Sequence, residues 1–539
     1  MDDDVPVLIA GGSLVGLSTA LFLGWHGVPS LAVERHRGTA IHPRAALVNQ
    51  RSIELYRGVG LEPEIEVASG LEFEQNGAIV SVESLGGREL DYYFRFINEG
   101  VEDLSPSPRL FVTQIGLEPI LLRRAQELGA RLEYGTELVS FEEDGDGVTA
   151  IVRTRDDGTE RAVRARYLVA ADGSHSPVRS RLGIPLLGHG SFSNSITIYF
   201  RADIRPLLRD RNLSVIYVFG PRLQGFFRFS KAADAGFLVV NKAVGADGEL
   251  SADLWQDAME SRHVEFVREA LGDPELEVEI ENVQRWNACA EWAERFQQGR
   301  VFLAGDAAHN MPPTGGFGGN VGVQDAHNLA WKLALVLDGL AGPELLGTYD
   351  TERRPASELS VEQAYTRYVL RLAPELGKDD LQSIVPEASV ELGYRYRSPA
   401  IVLEPDDDGA ACENPHEPSG RPGARAPHVI VERDGAPTST IDLFGRGFVL
   451  LAGADAEQWC AAARRAAAEL GVGLDAFRVG AGGELGAGDG RFAELYGVGA
   501  GGASLVRPDG FVAWRSAGSQ EDPEATLAGV LGRVLGRTS

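Results

Sequence analysis

VPVLIAGGSLVGLSTALFLGWHGVPSLAVE, from Val5 to Glu34, decides how this chain begins to fold. The stretch starts with an apolar run typical of a buried parallel strand, and a glycine-rich turn, a helical pattern and a second strand follow. Gly11 permits the tight turn, Gly16 lets the helix pack closely on the sheet, and Glu34 can accept hydrogen bonds from a ribose. This order predicts a βαβ unit of an α/β fold that binds a dinucleotide at the helix N-terminus.

The residues beside this fingerprint refine the predicted cofactor site. Ser13 stands where the fingerprint has its middle glycine, and serine is small enough for the backbone to approach a phosphate. Leu14 follows at the start of the helix, and Arg35 comes directly after the acid. Arg44 is either a clamp on the pyrophosphate or ribityl chain or a solvated surface arginine. The acid favours an unphosphorylated adenosine ribose, as in FAD or NAD.

Two later strands also end in a carboxylate. YLVAADG, from Tyr167 to Gly173, contains Asp172, and GRVFLAGD ends in Gly305-Asp306. Both runs are too apolar to be half exposed, so we place both strands in a covered sheet. Ligands bind at the carboxyl ends of strands in such folds, where Asp306 can bind a ribityl hydroxyl.

The segment after the second of these strands favours FAD. Pro312-Pro313 sets a rigid turn, and TGGFGGN, from Thr314 to Asn320, lets bare backbone approach a flat ring. The pattern predicts a helix from near Val321, whose N-terminus directs its positive dipole toward the glycine turn. An anionic reduced flavin needs such stabilisation, whereas the alternative is a glycine-rich loop that only precedes a core helix.

The whole-chain composition excludes several function classes. The chain has 539 residues, enough for roughly two to four domains, and a net charge of −27 that argues against nucleic-acid or anionic-membrane partners. Cys289, Cys412 and Cys460 form neither a Cys-X-X-Cys pair nor a metal-ligand spacing, so we expect no disulfide framework and no metal site. We expect neither a signal peptide nor a membrane span, and a reducing cytoplasm as the location.

Alternating strands in the middle of the chain predict an antiparallel sheet over the flavin, in a substrate domain at residues 174–290. The predicted strands are 195–202, 214–219, 225–229 and 237–241. Candidate walls for a substrate ring are Tyr217, Phe226, Phe227, Phe229 and Trp286, although any single aromatic residue there is more often ordinary core than ligand wall. The polar and aromatic segment 394–397 either borders the pocket or forms a surface hinge.

The remaining domain boundaries follow from composition and pattern. The FAD-binding domain is predicted at 1–173 and again, with a helical region, at 291–403. Residues 404–428 are rich in Pro, Gly and Asp and read as a linker. Strands, a helix at 456–470, a hairpin and a last helix then predict a thioredoxin-like domain at 429–539. This domain lacks Cys-X-X-Cys and cannot exchange dithiols, so a structural or dimerising role is expected.

These motifs resemble a known family. GGSLVG with Glu34, AADGSHSPVRSRLGI and GRVFLAGDAAHNMPPTGGFGGN are similar to the group A flavoprotein aromatic monooxygenases of the p-hydroxybenzoate hydroxylase type. ENPHEPSGRPGARAPH, STIDLFGRGFVLLAG and SLVRPDGFVAWR resemble that family's aromatic polyketide hydroxylases, such as the aklavinone and angucycline hydroxylases. The resemblance implies that NAD(P)H, with NADPH favoured, reduces FAD. Oxygen then forms a flavin C4a-hydroperoxide that hydroxylates a polycyclic phenol.

The resemblance also implies roles for individual residues. The ADP half of FAD would meet Gly11, Gly16 and Glu34, with Arg44 on the pyrophosphate side. Gln114 and Asp306 would lie near the ribityl chain, and Asp172 would serve both FAD and NAD(P)H. The residues implied at the reacting ring, and so the catalytic candidates, are Pro313, by its carbonyl, and Gly318, Gly319 and Asn320. For deprotonating the phenol no carboxylate pair stands out, so an arginine or a bound water stays open.

Three alternatives remain at this point. Two of them are enzymes on the same scaffold, a Baeyer–Villiger monooxygenase and a drug-inactivating hydroxylase. The third is a flavin-binding assembly partner without turnover. The chain is expected to act on a small aromatic substrate with molecular oxygen, as a monomer or homodimer.

Overall fold

The computed structural model describes residues 3–42, 46–244, 250–251, 254, 262–377 and 379–537. The first elements are β1 (Asp3–Ala10), α1 (Leu14–Trp25), β2 (Ser30–Glu34), α2 (Gln50–Gly58), α3 (Glu62–Glu72), β3 (Ala78–Val82), β4 (Glu89–Phe94), α4 (Gln114–Glu127), β5 (Arg131–Tyr134), β6 (Thr136–Glu143), β7 (Val148–Thr154) and β8 (Glu160–Ala170). The middle elements are α5 (Pro177–Arg181), β9 (Leu186–Arg201), α6 (Arg205–Leu208), β10 (Leu213–Phe219), β11 (Leu223–Phe229), β12 (Ala235–Val244), β13 (Leu250–Ser251), α7 (His263–Leu271) and β14 (Glu279–Ala293). The last elements are β15 (Gln297–Gln298), β16 (Val301–Leu303), β17 (His309–Asn310), α8 (Gly318–Leu337), α9 (Glu344–Leu372), α10 (Glu387–Glu391), β18 (Ile430–Arg433), β19 (Ala436–Ser439), β20 (Phe448–Gly453), α11 (Glu457–Leu470), β21 (Leu474–Val479), α12 (Phe492–Tyr496), β22 (Ala503–Val506), β23 (Val512–Ser516) and α13 (Pro523–Val534).

The first sheet has the order β15-β16-β8-β1-β2-β5, with β6 and β7 attached beside β8. β1 is parallel to both β2 and β8, and β16 is parallel to β8. The apolar runs of β1, β8 and β16 are buried, as expected for parallel strands covered on both faces. Since β16 returns after the whole middle domain, the carboxyl ends of three distant strands meet at one edge. The predicted α/β fold is confirmed.

The second sheet has the order β17-β14-β9-β12-β11-β10-β3-β4, with β13 beside β12. Its pairs are antiparallel except for β10 with β3. One face packs on a core that includes Leu238, Phe266 and Leu271. This is the predicted antiparallel sheet, but β3 and β4 come from residues 78–94, inside the stretch that the sequence assigned to the cofactor domain.

The C-terminal region contains a mixed sheet with the order β21-β20-β22-β23. β20 is parallel to β21 and antiparallel to β22, which is antiparallel to β23. The order of elements, βαβ followed by ββα, supports the thioredoxin-like prediction, which stays a prediction. Trp331 of α8 meets Phe448 of β20 edge-on at 6.2 Å between ring centroids, so this sheet packs directly against the cofactor-binding part.

Three segments differ in detail from the sequence expectations. α8 begins at Gly318 and not near Val321, because the glycines already adopt helical backbone. Tyr394 and Tyr396 are buried against Phe511, so segment 394–397 is not a surface hinge. Residues 422–427 are buried within the predicted linker. Among the helices of the described ranges, none is long and apolar enough to cross a membrane.

Candidate active site

The turn after β1 is shaped to receive a diphosphate. Gly11 has a φ of +108°, and a Cβ there would overlap the carbonyl of Ala171. A Cβ on Gly16 would overlap the carbonyl of Gly11, so both positions require glycine. The first N–H groups of α1 have no acceptor within the helix and suit an anion. Glu34 accepts a hydrogen bond from Gly12 N at 2.8 Å and so lies beside this turn.

A buried carboxylate lies under the same turn. The Ser13 hydroxyl donates to Glu118 Oε1 at 2.5 Å, and Ala40 N donates to Glu118 Oε2 at 2.7 Å. Burial raises the pKa of Glu118. The predicted Gln114 also lies here, with Nε2 3.5 Å from Ser13 Oγ. Sequence reasoning missed Glu118, although its position four residues after Gln114 on one helix face was a usable signal.

The other residues predicted around the adenosine half differ in their exposure. Leu14 is the first residue of α1 and is buried. Arg35 follows β2 and is exposed. Arg44 lies outside the described residues.

Asp172 follows β8 at the sheet edge. Its Oδ2 accepts from Val178 N at 3.1 Å, while its buried Oδ1 has no partner among the described residues. Burial raises the pKa of Asp172. The Arg179 guanidinium donates to Ala307 O at 2.8 Å, which ties α5 to the turn after β16. Asp172 therefore has one buried, unpaired carboxylate oxygen just after the end of β8.

The Gly305-Asp306 turn is held by Asp325 of α8. Asp325 Oδ2 accepts from Gly305 N at 3.0 Å and lies 2.7 Å from His309 Nε2. Arg353 Nε donates to Asp325 Oδ1 at 2.7 Å. The side chain of Asp306 is exposed at the strand end, in the position predicted for a ribityl contact. Asp325 therefore fixes the turn without being exposed itself.

The glycine loop is fixed by Asn320. Asn320 Nδ2 donates to Leu47 O at 2.9 Å and to Gly316 O at 2.8 Å, and Oδ1 accepts from Asn49 N at 3.0 Å. Because the side chain is engaged in this way, only the backbone of Asn320 is left to face a ring. The carbonyl of Pro313 accepts from Gly316 N at 3.0 Å, so this oxygen also takes part in the turn.

A cavity of about 720 Å³ lies between this loop and the second sheet. Its loop side is lined by Pro312, Pro313, Gly315, Gly316, Gly318 and Gly319. Its sheet side carries apolar and aromatic residues, among them Ile79, Val215, Tyr217, Phe226, Phe237 and Trp286. The predicted catalytic loop and three of the predicted ring walls therefore meet at one space.

The structure corrects the prediction for Phe227 and Phe229. Side chains alternate along β11, so Phe226 faces the cavity while both of these residues pack with the core on the opposite face. Segment 394–397 does not line the cavity either. The β-strand period of two could have separated the cavity-facing residues of β11 from its core-facing residues, once the direction of one side chain was known.

Charged residues of the cavity were missed by sequence reasoning. Arg109 Nε donates to Glu391 Oε2 at 3.0 Å, and both side chains are buried. Burial raises the pKa of Glu391. Arg228 lies two residues after Phe226 and on the same face of β11. Strand alternation could have indicated Arg228, but nothing local in the sequence marks α10 as a wall.

The residues present fit FAD. The glycine turn leaves the space that a Cβ would fill, helix N-termini face both the diphosphate turn and the loop, and Asp172 has an oxygen without a protein partner. Within the ranges that the structure covers, no cluster of three or more His, Cys, Asp or Glu residues could hold a metal ion.

Comparisons with known proteins agree with this arrangement. Residues 4–364 match the family model described as FAD binding domain, and residues 419–538 match the one described as aromatic-ring hydroxylase, C-terminal. The chain is 52% identical to a 4-methyl-5-nitrocatechol 5-monooxygenase of Burkholderia sp., over 99% of this chain and 98% of that one. It is 43% identical to an aklavinone 12-hydroxylase of Streptomyces purpurascens, over 99% and 100%. A crystal structure of aklavinone-11 hydroxylase with FAD and aklavinone superposes with a TM-score of 0.92, at 42% identity and 99% coverage of both chains.

Proposed function

We propose, from the premise that this chain belongs to the FAD-dependent aromatic-ring hydroxylases and is a flavin-dependent aromatic monooxygenase, that it hydroxylates a polycyclic phenol at the expense of NAD(P)H. The observation that carries the proposal is the cavity of about 720 Å³ between the glycine loop and the aromatic face of the second sheet. This volume lies in the range of roughly 300–1,000 Å³ that encloses drug-sized ligands. Relatives named for aklavinone hydroxylation support the same substrate class.

FAD, when bound, would supply electron transfer from NAD(P)H and the activation of oxygen. The residues of this chain bind and orient the cofactor and the substrate. Gly11 and Gly16 make room for the diphosphate, and Glu34 holds the ribose end. The backbone of Gly318 and Gly319 offers helix N–H groups to the ring, while Tyr217 and Trp286 wall the substrate and exclude water.

A second candidate substrate is a one-ring nitrocatechol. The observation that favours it is the 52% identity with a 4-methyl-5-nitrocatechol monooxygenase over nearly the whole chain. An ionised nitrocatechol would also suit a cavity lined by four arginines, Arg109, Arg228, Arg285 and Arg371.

The test is to follow NADPH and NADH oxidation by the yellow protein with polycyclic phenols and with 4-methyl-5-nitrocatechol, while product masses are recorded. We expect polycyclic phenols to stimulate oxidation and to gain one oxygen with the aromatic ring intact. A higher kcat/KM for the nitrocatechol would favour the second candidate. A lactone product would indicate Baeyer–Villiger oxygenation and not hydroxylation. FAD retention without any NAD(P)H consumption would support the non-catalytic assembly partner.

A further inference from the structure

Arg353 of α9 connects two backbone segments of the candidate flavin site. Its side chain is fully buried, and its Nε donates to Asp325 Oδ1 at 2.7 Å. Asp325 in turn accepts from Gly305 N at 3.0 Å and so holds the turn that carries Asp306. Arg353 Nη2 donates to Val321 O at 3.1 Å, in the first turn of α8 and directly after the glycine loop. One guanidinium therefore fixes both segments.

The charge of Arg353 keeps the bond to the Gly305 turn strong. Burial by itself would raise the pKa of Asp325, but the charges of Arg353 and His309 hold it below its ordinary value. Gly305 N therefore donates to an ionised carboxylate, and such a bond is stronger than one between neutral groups. A buried carboxylate that loses its cation is strongly destabilised, so the turn depends on where Arg353 is held.

Tyr396 holds the third nitrogen of this guanidinium. Arg353 Nη1 donates to Tyr396 Oη at 3.0 Å. Tyr396 is buried, and its ring centroid lies 4.1 Å from that of Phe511, with the two planes 28° apart. Its backbone N–H donates to Gly423 O at 2.8 Å, and Gly423 N donates to Val512 O at 2.8 Å. Phe511 and Val512 belong to the C-terminal domain, which therefore fixes the position of Tyr396.

We propose that Tyr396 is a positioning residue for the flavin, and that the C-terminal domain acts on cofactor binding by holding Tyr396 through Phe511. Among the described residues, those that line the cavity all precede residue 392, so the domain acts at a distance. The contacts connect Phe511 with the Gly305-Asp306 turn through three side chains, those of Tyr396, Arg353 and Asp325. This inference goes beyond the proposed hydroxylation, because it concerns retention of the cofactor whatever the substrate.

The first experiment measures how tightly the holoenzyme retains FAD. Tyr396→Phe removes the hydroxyl that accepts from Arg353 and leaves the ring on Phe511. The FAD Kd is measured by ultrafiltration of the holoenzyme over a series of dilutions, and urea unfolding is followed on the same samples. We expect the FAD Kd to rise about threefold to tenfold, since part of the free energy of a hydrogen bond to a charged group is passed on to the cofactor.

Tyr496→Phe is the matched control. Tyr496 is a buried tyrosine of the C-terminal domain whose hydroxyl donates to Pro427 O at 2.9 Å, so the variant removes the same atom from a different contact. It should lower the urea midpoint to an extent comparable with Tyr396→Phe and leave the FAD Kd at the wild-type value. A role of Tyr396 that is confined to stability would make the two variants alike, because the FAD Kd is measured where both proteins are fully folded.

Phe511→Leu tests the contribution of the C-terminal domain. It removes the stacked ring but retains the Tyr396 hydroxyl, and we expect the FAD Kd to rise about twofold to fivefold, within the range of an aromatic pair. In the double variant with Tyr396→Phe the rise should be smaller than the product of the two single rises, because both changes act through one hydroxyl. Should Tyr396→Phe not fold, Phe511→Leu replaces it, and a wild-type FAD Kd in that variant would overturn the proposal.

Three further results would overturn it. One is a wild-type FAD Kd in Tyr396→Phe. Another is an equal rise in Tyr396→Phe and Tyr496→Phe, which would indicate general loosening. The third is a rise in the double variant that equals the product of the single rises, which would separate Phe511 from Tyr396. The proposed function fails separately, if no phenol stimulates NAD(P)H oxidation while the FAD Kd changes as expected.

Discussion

The junction between the C-terminal domain and the cofactor-binding part surrounds its buried carboxylate with several donors, whereas the cavity supplies its buried carboxylate with fewer. At the junction, Glu352 accepts from Lys332 Nζ at 2.7 Å and from two nitrogens of Arg507 at 2.6 and 2.8 Å. Ser398 Oγ donates to Glu352 Oε1 at 2.6 Å. In the cavity, Arg109 is the single hydrogen-bond donor to the Glu391 carboxylate that the described residues supply.

The difference appears in the ionisation of the two carboxyl groups. Burial by itself would raise the pKa of Glu352, but the charges of Arg507 and Lys332 hold it well below its usual range. Burial raises the pKa of Glu391 in spite of Arg109. The junction supplies every partner from within the chain, whereas the cavity leaves charge incompletely compensated. Such undercompensation is expected where a ligand supplies the missing groups.

The largest effect should come from breaking the junction. Arg507→Met leaves Glu352 and Asp509 buried with fewer donors, and removing one partner of a buried ion network costs about 3–5 kcal/mol. Urea unfolding followed by tryptophan fluorescence measures the loss. Arg465→Met, at an exposed pair with Glu524, is the control and should leave the midpoint unchanged. A midpoint for Arg507→Met that equals the control would contradict the structural role of the network.

A smaller effect separates the two faces of β11. Phe227→Leu removes ring atoms from a fully buried core position and should cost about 1–2 kcal/mol of unfolding free energy. Phe226→Leu, on the cavity face, should change stability less but weaken the binding of a polycyclic dye. The paired measurement is urea unfolding and dye titration on both variants. Equal dye binding by Phe226→Leu and the wild type would place the ligand elsewhere.

The smallest expected effect is that the contributions of Glu352 and Glu391 to the free energy of unfolding change with pH in opposite directions. The folded-state pKa of Glu352 is lowered, so its contribution to stability is present above about 4.5 and is lost as pH falls. The folded-state pKa of Glu391 is raised, so its contribution is present below about 4.5 and is lost as pH rises through the folded-state value. As pH rises, the stability lost by Glu352→Gln relative to the wild type should therefore grow below about pH 4.5. The stability that the wild type gains from Glu391 relative to Glu391→Gln should instead shrink above about pH 4.5. Urea midpoints measured over a pH series check this, and parallel trends would refute the comparison.

Local patterns predicted a large share of the fold. The apolar runs that end at Ala10, Ala170 and Leu303 are continuous because both faces of those strands are covered, so each could be read without its neighbours. The start of α8 was placed too late because glycine carries no helical pattern of its own. β3 and β4 were missed because they join a sheet whose other strands begin only at Leu186 or later.

The candidate site was predictable only in part, for a similar reason. Glycine turns and strand-end carboxylates act through backbone shape and position, so they can be recognised in the sequence from their residue types alone. Phe227 was misplaced because the period of a strand gives two faces but not which face meets the cavity. Asp325 and Asn320 hold turns through partners such as Gly305 and Leu47, and sequence spacing does not reveal those contacts.

By itself, the sequence determined the FAD-binding βαβ unit, the order of the strand-end motifs and the family, because each depends on neighbours within a few residues. Only the tertiary structure decided which aromatic residues wall the cavity and that Glu352 and Arg507 close the domain junction. Those outcomes depend on charge and burial contributed by segments far apart in the chain, and the balance between desolvation and pairing exists only once the segments are packed together.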